Sequence, residues 1–319
     1  MPDHYIAWWN IENLFDVENS PTRPDYLQKE LKSELKGWTK KILNTKVKQL
    51  AHIIRQMNGG LGPDILGVCE VENKPVVKKL VSALSPLGRN YQVEHHDTKD
   101  KRGIDVAFIY DADKFKVERQ FSYVVRKRSA TRDIFQVNFQ TKKKRRLILI
   151  GNHWPSRLGD PSYRIIAAET LAYWVQRIHE KLGGEVLILV MGDFNDEPFN
   201  RSLADFALSS RTTTRGLKAR NHRLYNLMWP PLGQGITSYV YNSTPTMLDQ
   251  FLVSRGMLRK KAAIWPLADR VAVLRFPATV SKSPYKTPRR FGRPSRKKTF
   301  NQEGFSDHYP IAVVLQEKQ

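Results

Sequence analysis

Three stretches of the sequence, DILGVCEVE (64–72), LILIGNHW (147–154) and EVLILVMGD (185–193), are apolar at almost every position for about the length of a strand. Each then stops at a carboxylate, an amide or an imidazole. Apolar runs this short, with no alternating polar face, suit strands covered on both sides. A chain with several of them must stack sheets or cover sheets with helices. YIAWWN (5–10), GIDVAFIYD (103–111), DIFQVNF (133–139), TSYVY (237–241), MLDQFLVS (247–254) and IAVVL (311–315) read as further strands. Between them, Ile42, Leu43, Val47, Leu50, Ile53, Ile54 and Met57 recur at helical spacing over 40–57, and 75–84 and 162–180 have the same character. Many strands with a few interspersed helices predict two packed sheets with helices outside. No repeat or internal boundary stands out, so residues 1–319 are expected to form one domain.

The polar groups at the strand ends are more than such a fold needs. They are Asn10, Glu70, His153, Asp193 with Asn195, and Asp307 with His308. In LVMGDFNDEP (189–198), alternation along an extended chain puts Asp193 and Asn195 on one side and Phe194 on the other. Taken singly, each group has an ordinary explanation as a turn residue or a backbone cap. Taken together, clustered acids with His and Asn are what a hard, oxygen-loving metal and a phosphate require. Asp249 has the strand parity of Phe251 and Val253 and so should face inward. A buried carboxylate needs a partner, and His308 and His153 are the candidates, with backbone N–H groups an equal alternative.

Charge narrows the partner. Lys and Arg total 53 against 31 acids, a formal charge of +22 and a sequence pI near 10.0. This asymmetry points to a polyanion, because basic side chains on phosphates release condensed counterions. An anionic membrane surface would meet the same field. RKRSATR (126–132) and KKKRR (142–146) flank the strand at 133–139 and read as hairpin loops kept soluble by charge. The stretch 274–300 mixes Lys and Arg, including Arg289, Arg290 and Arg293, with Pro and aromatics and no acid. It reads as a long basic loop, either solvated or able to stack on bases while tracking phosphates. No apolar run is long enough to span a membrane. The N-terminus lacks a secretory pattern, and the lone Cys69 cannot form an internal disulfide. An intracellular, cytoplasmic location is expected.

In order along the chain, WNIENLFD, CEVEN, NHWPSR, GDFND, LDQFLVS and SDHYPI resemble the motif series of the endonuclease/exonuclease/phosphatase superfamily, in its deoxyribonuclease-like branch. The resemblance runs from residue 8 to residue 311. It implies a four-layer α/β sandwich, two mostly antiparallel sheets face to face with helices outside, that cleaves phosphoester bonds with Mg2+ or Mn2+. By the same resemblance Glu70 is the metal-binding glutamate, Asn10 sits by metal and phosphate, and Asp307 is a second metal-side acid. Strand parity alone does not choose between Glu70 and Glu72. Asp193 matches the aspartate that handles a proton, Asn195 the amide that orients the phosphate, and His153 a histidine that contacts phosphate or leaving group. His308 matches the essential histidine paired with Asp249. Arg157, Arg164 and Arg102 are candidates for the phosphate, with a salt bridge an equal reading for Arg164.

The expected function is a metal-dependent nuclease, with DNA ranked slightly ahead of RNA as substrate. The inositol-phosphatase PAWCDR-type motif is missing, and LDQFLVS stands in its place. A phosphatase acting on an inositol phosphate, a phospholipid or another small phosphoester is the alternative. A nucleic-acid-binding module without catalysis is a third reading, and the intact set of acids, amides and histidines argues against it.

Overall fold

The computed structural model describes residues 3–219, 221–292 and 300–319. Along the chain its strands are β1 (Asp3–Leu14), β2 (Ile65–Val71), β3 (Tyr91–His95), β4 (Asp105–Asp111), β5 (Phe115–Tyr123), β6 (Ile134–Thr141), β7 (Arg146–His153) and β8 (Ile188–Asp193). There follow β9 (Ser209–Ser210), β10 (Leu224–Asn226), β11 (Tyr239–Tyr241), β12 (Thr244–Thr246), β13 (Asp249–Val253), β14 (Ile264–Val273) and β15 (Ile311–Glu317). The helices used below are α1 (Asp25–Leu31), α2 (Lys40–Ile54), α3 (Lys74–Ala83) and α4 (Ser162–Leu182).

One sheet has six strands in the order β14-β15-β1-β2-β4-β3, the other seven in the order β5-β6-β7-β8-β13-β10-β9. Antiparallel pairs dominate, with parallel pairs at β1/β2, β7/β8 and β9/β10. The inner faces meet in a core of Ile6, Trp8, Phe108, Val137, Phe139, Leu189, Met191, Phe251 and Val313. Outside the first sheet, α1, α2 and α3 bury Leu27, Leu43, Leu50, Ile54, Val76 and Leu80. Outside the second, α4 buries Ala168, Leu171 and Val175. Helices, sheet, sheet and helix make the four layers of an α/β sandwich.

Local chemistry explains several boundaries. The Thr39 hydroxyl accepts Ile42 N–H at the start of α2, and the Asn73 amide oxygen accepts Val76 N–H at 2.9 Å to open α3. The expected helix over 40–57 stops at Ile54, where the Gln56 N–H turns to the Ile53 carbonyl and the last turn tightens. Gly192 has no room for a side chain, since a Cβ there would lie 2.4 Å from the Asn152 carbonyl oxygen of the neighbouring strand. Residues 142–145 of KKKRR form the tight turn between β6 and β7, and Arg146 opens β7. No helix among the described residues is long and apolar enough to cross a membrane.

Candidate active site

Strand register gathers the site. The parallel β7/β8 pair sets His153 opposite Asp193, and the antiparallel β8/β13 pair sets Asp193 opposite Asp249. Three chemically active side chains thus stand side by side at one end of the second sheet. The first sheet contributes Asn10 and Glu70 from the ends of β1 and β2. Both strands are irregular there: the register shifts between Asn10 and Leu14 and between Cys69 and Val71. Glu12, Asn13 and Glu70 all take positive φ. Such bulges re-aim side chains at strand ends. They also separate two glutamates that parity could not. Glu70 turns towards His153 and Arg102, while Glu72 accepts from Arg23 Nε (2.5 Å) and the Asp16 amide (2.6 Å).

The centre is a hydrogen-bonded chain. His308 Nδ1 donates to Asp249 Oδ2 at 2.7 Å, and Asp249 Oδ1 accepts the Trp8 indole N–H at 3.1 Å. His308 Nε2 then lies 3.8 Å from Asp193 Oδ2. That same oxygen accepts the Asn10 amide at 3.0 Å and lies 3.9 Å from His153 Nε2. His153 Nε2 is also 3.6 Å from Glu70 Oε1. The Tyr239 ring packs against the His308 ring with centroids 4.5 Å apart.

The electrostatics differ sharply between the two histidines. Burial would lower His308, but the Asp249 and Asp193 carboxylates outweigh it and push it up to about 10. His153 is held well below its ordinary value by burial, Arg132 and Arg102, so its ring is neutral. Asp193 is pushed up to about 6 by burial, with His308 opposing and Asp249 adding to the rise. Burial acts against the charge on Glu70 as well, yet Arg102, His308 and Arg132 keep it below the usual range.

Not every expected residue joins this cluster. Beyond Asp193 the chain leaves the extended form, because Asn195 has φ 52°; alternation therefore does not govern where Asn195 points. Its amide donates to the Trp154 carbonyl at 2.9 Å, while its own N–H is held by Asp193 Oδ1. Phe194 is fully buried and meets the Trp154 ring edge-on at 4.8 Å. Arg102 reaches the site, 3.6 Å from Glu70 Oε1 and bonded to Asn13 Oδ1. Arg157 donates to the Asn195 carbonyl at 2.9 Å and lies near Asp196 and Glu197. Arg164 is buried and turned to Asp196, 2.9 Å away, and to the Ser156 carbonyl, so it braces the turn rather than facing the cluster. In the basic stretch, Arg289 pairs with Glu303, Arg290 pairs with Glu12 and lies 3.6 Å from Asp307, and Arg293 lies outside the described residues.

Three further residues belong to the site and carry no mark in the sequence pattern. Arg132 sits within RKRSATR, where solvated loop charge is expected, but it is buried: it donates to the carbonyls of His153 (3.3 Å) and Trp154 (2.7 Å) and pairs with Asp100. Glu12 accepts from Arg290, Phe291 N–H and Gly292 N–H, tying the basic stretch to the site. Lys46, fully buried on α2, donates to the Glu12 carbonyl at 2.6 Å and is lowered to about 8 by burial despite Glu12 and Asp307. No signal in the sequence separates Arg132 or Lys46 from ordinary surface cations, because their burial depends on long-range packing.

The donor set suits a divalent cation. Asp249 is an unpromising ligand, because both oxygens are already hydrogen-bonded and it has 0% exposure. Among the described residues, Glu70 Oε1 and Asp307 keep free oxygens, the nearest cations being 3.6 Å away. Asp307, 26% exposed at its side chain, is pushed up to about 7 by its recessed position and by Glu12, with Glu70 adding to the rise. Carboxylates that repel one another across a recess are the arrangement a hard cation relieves.

A family model described as Endonuclease/Exonuclease/phosphatase family matches residues 5–317. No curated protein sequence matches the chain. Among solved structures, the mannosyl-6-phosphatase of Bacteroides thetaiotaomicron is similar with a TM-score of 0.58 at 16% identity, covering 98% of this chain and 99% of that one. The human Nocturnin catalytic domain with bound sulfate is similar with a TM-score of 0.59 at 17% identity, covering 99% and 94%. Truncated TDP2 of Caenorhabditis elegans gives 0.58 at 15% identity, covering 98% and 97%. Likenesses at these identities show a shared fold, whereas the match along almost the whole sequence shows the family. The chain belongs to the endonuclease/exonuclease/phosphatase family.

Proposed function

We propose that the protein is a metal-dependent phosphodiesterase that hydrolyses nucleic acid, DNA ahead of RNA, with residues 1–319 acting as one domain. The observation that carries this reading is the convergence of Asp193, His308, Asp249, His153, Glu70 and Asn10 on one buried cluster in a chain of charge +22. Glu70 and Asp307, with Asn10 as a further oxygen donor, would hold Mg2+ or Mn2+, which supplies Lewis-acid polarisation of the phosphate. His308, fixed by Asp249, hydrogen-bonds a nonbridging phosphate oxygen with its Nε2–H. Asp193 takes a proton from the attacking water as that oxygen bonds to phosphorus, the P–O bond opposite breaks, and the leaving oxygen takes up a proton from solvent water. His153 donates a hydrogen bond from neutral imidazole, and Arg102, beside Glu70, orients the phosphate from the rim.

A small phosphoester is the second reading. It is favoured by the pairing of Arg289 and Arg290 with Glu303 and Glu12, which leaves fewer free cations along that rim for a long polyanion. The two readings separate when the protein is given supercoiled plasmid, single-stranded DNA, RNA and a panel of inositol and sugar phosphates, with magnesium or with EDTA. Metal-dependent nicking supports the nuclease. Phosphate release from the small esters alone replaces it with the second reading, and tight DNA binding without turnover defeats both.

A further inference from the structure

The connection between β3 and β4 delivers two residues to the active site: Arg102, which reaches Glu70 and Asn13, and Asp100, which pairs with the buried Arg132. At the root of this connection His95, Asp97 and Asp105 come together. One ligand atom from each lies within 4.8 Å of the others. The His95 side chain is 1% exposed, and its Nε2 has no hydrogen-bond partner. That nitrogen faces Asp105 Oδ2 at 3.6 Å, beyond hydrogen-bond reach. Asp105 Oδ1 is already occupied, accepting from the Thr98 hydroxyl (2.5 Å) and amide (3.2 Å), so Oδ2 remains available. Asp97 lies on the solvent side, its side chain 80% exposed and its Oδ1 3.8 Å from His95 Nδ1.

A buried imidazole nitrogen left without a partner is costly unless something accepts its lone pair or proton. Here Nε2 faces the fixed carboxylate of Asp105, and the exposed carboxylate of Asp97, now beside Nδ1 of the same ring, is free to swing in from solvent. Imidazole with carboxylates suits borderline divalent metals such as zinc, whereas magnesium and calcium prefer oxygen alone.

We propose that His95, Asp97 and Asp105 form a second metal site, distinct from the catalytic cluster, that takes a zinc-type divalent cation and clamps the β3–β4 connection. Metal bound there joins the end of β3 to the start of β4 across the loop that carries Asp100 and Arg102. It thereby orders the two residues that the loop sends to the active site without touching substrate.

The test is equilibrium dialysis of the full chain against zinc chloride in excess magnesium, with bound zinc read by elemental mass spectrometry. The wild-type protein should retain one zinc that both Asp97→Asn and His95→Gln lose. The exposure of Asp97 makes Asp97→Asn safe for folding. In parallel, amide hydrogen exchange across residues 96–104 should slow on adding zinc to the wild type and stay unchanged in Asp97→Asn. Zinc content equal in all three proteins overturns the proposal. So does zinc that is lost in His308→Ala but kept in Asp97→Asn, since that places the metal at the catalytic cluster. Neither readout uses hydrolysis, so the outcome does not depend on the proposed activity.

Discussion

His308 Nδ1 lies 2.7 Å from Asp249 Oδ2, and the pair bridges the end of β13 and the loop that precedes β15. The carboxylate is fully buried and braced on its other oxygen by Trp8, so it fixes both the orientation and the charge of the ring.

Asp249→Asn keeps the shape and removes the charge. The asparagine can still accept from Nδ1–H, but His308 loses its main stabilising carboxylate. We expect kcat to fall by about 10²-fold or more with KM little changed. Steady-state kinetics on a phosphodiester substrate check this, and an unaltered kcat would remove Asp249 from the catalytic machinery.

Arg132→Ala strips the partner from the buried Asp100 and from two carbonyls beneath the site. Breaking a buried pair on one side typically costs about 3–5 kcal/mol. Urea unfolding should show a loss of this size, with Arg132→Lys recovering part of it. A variant as stable as the wild type would mean that water replaces the guanidinium at no cost.

The strands at the centre of each sheet are legible from residue pattern because they are covered on both faces. Among the described residues six strands escape the pattern: β3, β5, β9 and β14 lie at sheet edges, β12 belongs to a two-stranded ribbon, and β10 is only three residues long. FKVERQFSY in β5 is largely polar and solvent-facing, and IWPLADRVAV in β14 contains a proline and a register shift. The candidate site shows the same division. Asp193, Asp249 and His153 follow from strand ends and parity, since β7, β8 and β13 are regular up to those residues. Choosing Glu70 over Glu72 requires the bulge, and Arg132, Glu12 and Lys46 depend on interactions across long stretches of chain.

The basic stretch also makes a prediction about salt. Arg289 and Arg290 are committed to Glu303 and Glu12, so neutralising Arg293, Lys297 and Lys298 instead isolates the charges next to them. For every cation that pairs with a DNA phosphate, neutralisation should lower the slope of log affinity against log salt by about one unit. Binding isotherms at several salt concentrations measure it. An unchanged slope would show that these cations do not meet DNA.

His179, in the last turn of α4, stacks on His222 at 4.1 Å with the rings nearly parallel. Burial, then His222, pushes it down to about 4 from an ordinary value of 6.5. The unfolded chain therefore binds this proton at a higher pH than the folded one. Stability present above about pH 6.5 is lost as pH falls towards about 4, by about 1–3 kcal/mol after allowance for solvent screening. Urea midpoints at about pH 7 and about pH 5 should diverge in the wild type and converge in His179→Leu. Equal divergence in both would assign the acid sensitivity to other groups.

Asp193 is the group on which the proposed metal-dependent phosphodiesterase depends, as acceptor of the proton from water. The most direct measurement is the initial rate of nicking of supercoiled plasmid DNA by the wild type and Asp193→Asn, in magnesium and after EDTA. Nicking is expected to stop with EDTA, resume when magnesium is restored, and fall by about 10²–10⁴-fold in Asp193→Asn. Equal rates in the two proteins, or nicking that persists in EDTA, would contradict this role.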